Sequence, residues 1–458
     1  KPDGALHALN ASGRAPQGAT LDALNEAGIS EIAQTSPHAV TVPGAIDGWS
    51  RLLADHGTRS FADVLKAAIG YARDGFPVSP RVHFDWRRAF ETISANEGGR
   101  QHLLFDGQVP EVGRVVRMPA LADTLERIAS EGRDGFYAGA VAEDIVGDLR
   151  ELGGFHTVED FARQSSEYVD PIAVTYGGLT LHELPPNNHG VVALIALRML
   201  EQIGRISDDP GSAERFHVMV EVARHAYAMR DEFVADPAMA DVPVDHMLAD
   251  ETIAELVSRV DRTRRRPDLG PTPQPAGSDT VYLTVADGSG MMVSFINSLY
   301  NSFGSGIVAR KSGVVLQNRG QGFSLERGHA NCIAPGKRPM HTLVPAIVTE
   351  NGVPTMSFGV MGGAFQPLGH AYVITNMRDY GMDPQEALDF PRVFFDDEPV
   401  LVEDTVSQQV RDQLSAMGHT VGVREEPWGG GQIIMRDPRT GVLTGASDPR
   451  KDGTALGY

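Results

Sequence analysis

Cysteine is all but missing from this sequence: 458 residues contain a single one, Cys332. A lone thiol excludes an intrachain disulfide framework and any structural zinc site built on cysteine ligands. With no histidine beside it in sequence, Cys332 reads as a small apolar filler. Positive charge is also scarce. Lys and Arg total 40 against 60 Asp and Glu, a formal net charge of −20. That balance speaks against a nucleic-acid partner, which needs clustered phosphate-neutralising side chains. It leaves a small anionic substrate open, because a pocket can be locally basic inside a negative surface. No stretch approaches the ~18 consecutive apolar residues of a membrane span. His182 and Glu183 have no partner at HExxH spacing, and the Gly-rich segments lack the Lys-Ser/Thr of a phosphate loop, so neither a catalytic metal nor a nucleotide cofactor is expected. There are no internal repeats and no long low-complexity tract.

What remains is 41% hydrophobic and 22% charged, the make-up of a globular chain long enough for two domains or one large layered unit. The first 270 residues read as mainly helical. Thr20 to Ala27 is a short helix, and Val40-Thr41-Val42 a short strand running into Pro43-Gly44 and a helix carrying Trp49, Leu52 and Leu53. Ser60 opens a capping box with Asp63 ahead of the stripe Phe61, Val64, Leu65, Ala68, Ile69. Further helices are expected at Trp86 to Ser94 and across Thr124 to Arg150, broken at Gly132–Gly135. Pro171 to Leu184 switches to period two, a hairpin. Its exit, Asn187-Asn188-His189-Gly190, suits either an anion at a pocket mouth or a plain turn. A long apolar helix follows from Val191 to Ile203, then helices at 213–231 and 241–259, ending in the cluster Arg262, Arg264, Arg265, Arg266, a solvated helix end. Beyond residue 280 strands dominate, near 280–286, 291–298, 313–317, 343–349 and 354–359. Helices follow at His370 to Tyr380, Pro384 to Phe390 and Thr405 to Met417, and last strands at Thr420–Val423 and Gln432–Met435.

The chain is organised around Asp279-Thr280-Val281-Tyr282-Leu283-Thr284-Val285-Ala286, the turn Asp287-Gly288-Ser289-Gly290, and the returning run Met291 to Ser298. Two strand-forming runs around a short Asp/Gly/Ser turn read as a β-hairpin, preceded by a Pro/Gly-rich loop from Pro267 to Gly277. A Thr at this place is commonly just a β-branched strand residue. If the backbone were cut before it, however, its α-amine, titrating near about pH 8, could take the proton from its own hydroxyl and activate it.

Five motifs give that second reading its weight. Thr280-Val281-Tyr282, Phe303-Gly304-Ser305-Gly306, Pro335-Gly336-Lys337-Arg338-Pro339, Met361-Gly362-Gly363 and Gly445-Ala446-Ser447-Asp448-Pro449-Arg450 stand in the order found in the small subunit of the γ-glutamyltranspeptidase family, which this segment resembles. Val42-Pro43-Gly44-Ala45-Ile46-Asp47-Gly48-Trp49 and Ala72-Arg73-Asp74-Gly75-Phe76 resemble its large subunit. The resemblance implies an α+β, four-layer αββα N-terminal-nucleophile hydrolase fold. Residues 1–279 would be the large-subunit portion and 280–458 the small, joined in one unit. It also implies a single proenzyme that breaks its own Asp279–Thr280 bond, giving Thr280 as nucleophile and base, with Gly362 and Gly363 as oxyanion donors and the Ser298 hydroxyl beside the catalytic amine or hydroxyl. Ser298 serves equally as a buried strand serine. Family members carry residues ahead of the hairpin-like start Lys1 to Asn10, so the sequence reads as lacking its true start, where any targeting peptide would lie. A cytoplasmic location, and a homodimer or a heterotetramer of processed subunits, are the accompanying expectations.

Substrate recognition departs from the resemblance. Ser12 falls where the family has the Arg that grips the glutamyl α-carboxylate, and Gly322 where it has the acid that grips the α-amine. Tyr300 replaces an Asn, and His341-Thr342 replaces paired serines. Arg14 and Arg319 stay close to the altered positions, and either guanidinium could bind a carboxylate bidentately. Without the acid for the amine, the expected substrate is a small carboxylate-bearing amide such as a dicarboxylic monoamide or a glutaryl-type amide, met by Arg14, Tyr300, Arg319, His341 and Thr342. Two other readings stand beside it: a true γ-glutamyltransferase or glutathione hydrolase, and an unprocessed binding protein. His370 is expected to begin a core-facing helix.

Overall fold

The structure, a computed structural model, describes residues 1–266, 279–395 and 399–458. Its contacts divide the chain into two compact units. One comprises Lys1–Ala8, Asp170–Asn297 and Thr342–Tyr458; the other comprises Leu9–Val169 and Ser298–His341. Among the described residues no helix is long and apolar enough to cross a membrane. The expected loop from Pro267 to Gly277 lies outside the described residues.

The first unit is built on a six-stranded antiparallel sheet. In spatial order its strands are Leu443–Ser447, Gly430–Arg436, Val353–Met361, Ala346–Glu350, Leu179–Glu183 and Ile172–Tyr176. Strands from both sides of residue 280 therefore share one sheet, as expected, and the Asn351-Gly352 turn joins Ala346–Glu350 to Val353–Met361. The central strand Val353–Met361 is buried on both faces. Met356, Phe358 and Val360 point one way, and the Phe358 ring lies 4.5 Å from that of His370 on the Gln366–Tyr380 helix. Ser357 and Gly359 point the other way, toward the hairpin of Asp279–Ala286 and Met292–Tyr300. Helices Gly190–Ile203, hydrophobic almost all round, and Gln366–Tyr380 cover the helix side, as expected of buried rather than amphipathic helices.

The SDPR tail is a buried ionic joint of this unit. Asp448, fully buried, takes Arg392 at 2.5 Å and the Gly431 N–H at 3.0 Å, while Arg450 reaches Glu403 at 2.6 Å. Burial holds the Arg392 guanidinium below its ordinary pKa, which Asp448 opposes. Removing either partner would leave an uncompensated buried charge.

The second unit is mainly helical. The Phe61–Asp74 helix has the capping box read from Ser60 and Asp63, and Pro119–Glu131, Asp134–Tyr137 and Ala140–Glu151 reproduce the broken helical run. The Phe-Gly-Ser-Gly loop is fixed by contact. A Cβ on Gly304 would stand 2.4 Å from the Leu316 carbonyl oxygen, and one on Gly306 would stand 2.1 Å from that of Thr92. Both glycines have positive φ.

Four expectations are corrected. Residues 40–42 are extended but form no strand: the Val42 N–H donates to Arg14 and the Thr41 carbonyl accepts from Gln317 Nε2 at 2.7 Å, so no ladder edge remains. Residues 313–317 make only an isolated bridge between Val308 and Val315, because Leu316 is consumed by Ile307 and Ser305. The 241–259 helix is two pieces, Val244–Met247 and Asp250–Ser258, and the Trp86–Ser94 run begins at Pro80 and breaks at Ala89. The Leu443–Ser447 edge strand was not expected.

Candidate active site

The hairpin sets Thr280 in place by strand alternation. Thr280 and Tyr282 are buried, at 9% and 5% exposure, whereas Val281, Leu283 and Val285 face outward. The inward residues meet the central strand two by two. Thr284 Oγ1 donates to Ser357 Oγ at 2.7 Å, and the Tyr282 ring lies over Gly359 so closely that a Cβ there would come 2.5 Å from Cε2. A step of two residues along the hairpin strand thus matches a step of two back along the central strand. One further step leads from Tyr282 to Thr280 on one strand and from Gly359 to Met361 on the other, the residue immediately before Gly362. Tyr282 OH shares a 2.8 Å hydrogen bond with Ser294 Oγ, which ties the hairpin's two strands together, and burial pushes its phenol pKa upward.

The central strand ends in the double glycine. Gly362 has φ 133° and Gly363 φ 56°, conformations that L side chains rarely adopt. A short turn, Gly363–Phe365, leads directly into the Gln366–Tyr380 helix. Successive backbone N–H groups at such a strand-to-helix turn are suited to a developing negative charge. The turn is pinned from below: Phe365 N–H donates to the Gly362 carbonyl at 3.0 Å, and Tyr227 OH donates to Ala364. Just upstream, His370 Nε2 accepts the Val360 N–H at 3.3 Å, and His370 Nδ1 lies 2.7 Å from Glu183 Oε1, both side chains fully buried. Burial pushes Glu183 upward from its ordinary pKa, which the neighbouring His370 opposes. His370 is thus core-facing, as expected, and also anchors the strand one residue before Met361.

The remaining sequence-predicted residues have definite local settings. Thr342 is buried and its carbonyl accepts from His189 Nε2 at 2.9 Å. Asn187, Asn188 and His189 are all buried, which removes the pocket-mouth reading of that loop. In the second unit, the Ser298 hydroxyl accepts the Tyr300 N–H at 2.9 Å and so supports a residue at φ 78°. Arg319, at 3% exposure, stacks its guanidinium 4.1 Å from the centre of the Tyr300 ring. Burial brings its pKa down to about 10, partly offset by Tyr300, so it stays charged at neutral pH. Arg14 is engaged otherwise: it donates to the Gly336 carbonyl at 3.1 Å and lies 3.9 Å from Glu167, which also receives the buried Arg338. The Pro335–Pro339 turn is accordingly a clamp on the 12–15 loop, with Arg338 Nε on the Ser12 carbonyl at 3.1 Å. His341 is buried at 7% exposure. At Gly322 a Cβ would find its nearest neighbour, the Met340 carbonyl oxygen, at 3.4 Å, so space alone does not force the absence of a side chain. Sequence reasoning missed the positioning parts of the first unit, Gly359, Tyr227 and Glu183, which are far apart in the chain and carry no motif.

Known proteins place this geometry in context. A family model described as gamma-glutamyltranspeptidase matches residues 1–458. The chain is 35% identical over 462 residues to the glutathione hydrolase-like YwrD proenzyme of Bacillus subtilis, covering 99% of this chain and 87% of that protein. It is also 35% identical over 475 residues to the oxamate amidohydrolase proenzyme of Klebsiella pneumoniae, covering 100% and 88%. Among solved structures, a cephalosporin acylase from Bacillus halodurans superposes with a TM-score of 0.92 at 37% identity, over 99% of this chain and 86% of that one. The several sheets and helical regions seen here are consistent with the αββα architecture of such relatives.

Gly359→Ala should force the Tyr282 ring off the central strand, a clash typically costing about 1–3 kcal/mol. Urea unfolding should show the loss, and an unchanged midpoint would contradict the close hairpin contact.

Proposed function

The chain belongs to the gamma-glutamyltranspeptidase family, and from that premise we propose that it is a self-processing amidohydrolase with Thr280 as its nucleophile. Family membership supports hydrolase or transferase activity of this general kind. The observation that carries the specific reading is the two-residue register of Tyr282 on Gly359 and Thr284 on Ser357, which leads Thr280 toward the Met361-Gly362-Gly363 turn.

In the processing step Thr280 Oγ adds to the Asp279 carbonyl carbon and the Asp279–Thr280 C–N bond breaks. The ester on Oγ is then hydrolysed by water, leaving a carboxyl on Asp279 and a free α-amine on Thr280. In turnover that amine accepts the hydroxyl proton, directly or through a water, while Oγ attacks the substrate amide. Negative charge on the carbonyl oxygen is met by N–H groups of the Gly362–Gly363 turn, where one lost donor costs about 3 kcal/mol. The proton passes to the departing amine, and the acyl group stays on Oγ until water or another amine removes it. The division of the chain at 279 and 280 into two subunits belongs to this proposal.

For the substrate we infer a carboxylate-bearing amide without a neighbouring ammonium. A buried guanidinium that keeps its charge, Arg319 over Tyr300, favours an anionic group. Gly322 offers no carboxylate to an α-amine. Arg14, held by Gly336 and Glu167, is the weaker candidate of the two arginines. The competing reading, γ-glutamyl transfer, requires recognition of that amine.

Two outcomes are expected. Wild-type protein incubated at neutral pH should resolve on a denaturing gel into two fragments meeting at Asp279 and Thr280, while Thr280→Ala stays a single chain; one band in both would remove the catalytic base. Glutaryl anilides should exceed γ-glutamyl anilides in kcat/KM by about tenfold or more, and Arg319→Leu should lower kcat/KM for both. Faster turnover of the γ-glutamyl compound would overturn the substrate assignment.

A further inference from the structure

Away from Thr280, the Ala213–Phe233 helix buries a histidine and a carboxylate one turn apart, His217 and Glu221, each at 0% exposure. His419, at 4% exposure, reaches them from the turn between the Gln408–Ala416 helix and the Val421–Arg424 strand. One ligand atom from each of the three lies within 4.8 Å of the others. All three belong to the first unit.

The hydrogen bonds prepare this cluster for a cation. His217 Nε2 is 2.7 Å from the Asp261 carbonyl oxygen. A carbonyl can only accept, so Nε2 carries the hydrogen and Nδ1 presents a lone pair. That lone pair points at His419 Nε2, 2.7 Å away. A histidine whose far N–H is taken by a backbone carbonyl is oriented as metal-ligating imidazoles are. His419 is buried, and its Nδ1 has no protein partner. Glu221 accepts the Arg266 N–H at 3.1 Å and lies 3.4 Å from Arg224 Nη1.

We propose that His217, Glu221 and His419 form a binding site for a divalent transition metal of the zinc class. Two imidazoles and one carboxylate suit such an ion, whereas calcium and magnesium require mostly oxygen ligands. With zinc–nitrogen bonds of about 2.0–2.1 Å, tetrahedral ligands stand roughly 3.3 Å apart, so the two rings would separate by roughly 0.6 Å on binding. His419 would shift its hydrogen to Nδ1, and the fourth position would fall to solvent. The ion would join residues 217 and 221 to a residue some two hundred positions later. On the reading that the chain is cut before Thr280, it would also bridge the two fragments; binding itself does not rest on that reading.

The test is metal stoichiometry on the full chain, stripped with a chelator, reloaded with excess Zn²⁺ and desalted. About one zinc per chain is expected in wild type and in Thr280→Ala, and well under about one-fifth in His217→Gln and His419→Gln. Circular dichroism should show both histidine variants folded. Co²⁺ loaded in place of zinc should give visible ligand-field bands that vanish in those variants. Wild-type protein that holds no zinc after reloading, or variants that keep full stoichiometry, would overturn the site. If the variants fail to fold, absence of the cobalt bands in wild type overturns it equally.

Discussion

Two strands approach each other more closely in this protein than side chains would ordinarily allow. The Tyr282 ring rests on the backbone of Gly359, where even one methyl group would collide, and the hydroxyl contact of Thr284 with Ser357 continues the seam. Such contact fixes register, because a slip of one residue would turn Thr280 and Tyr282 outward and bring Val281 and Leu283 in. The position of Thr280 relative to the double-glycine turn is therefore a consequence of packing two residues away. Everything proposed about the nucleophile depends on that seam.

Around it, the first unit spends its buried polar groups on holding backbone in place. Glu183 and His370 reach the Val360 N–H, Tyr227 reaches Ala364, and His189 reaches the carbonyl of Thr342. None of these side chains needs to touch a substrate to matter. A buried hydrogen bond holds the groups it joins in place, and an oxyanion site depends on donors that do not reorganise as charge develops. The Asp448–Arg392 and Arg450–Glu403 pairs do the same for the tail.

Much of this was legible in the chain. The hairpin around Asp287 to Gly290, the Ser60 capping box and the period-two run from Pro171 to Leu184 all carry local signals that tertiary contacts did not override. The motifs also carried the family, to which the match over residues 1–458 assigns the chain. Residues 40–42 and 313–317 misled because β-branched composition records only a preference, whereas a strand requires unspent N–H and C=O groups; Arg14, Gln317 and Ile307 had taken them. The Leu443–Ser447 strand was hidden by its exposed, non-alternating edge. Arg14 matched the wanted chemistry by sequence proximity, but its guanidinium is occupied with the Gly336 carbonyl and Glu167. The His217–Glu221–His419 cluster has half its spacing on one helix turn and the rest far along the chain, so no local pattern announces it.

The proposed mechanism rests on a free Thr280 that carries the acyl group. Brief incubation with a glutaryl anilide, acid quenching and mass analysis of the peptides addresses it directly. A glutaryl increment is expected on a peptide whose first residue is Thr280. An increment on any other residue, or turnover by a chain still continuous through Asp279 and Thr280, would contradict it.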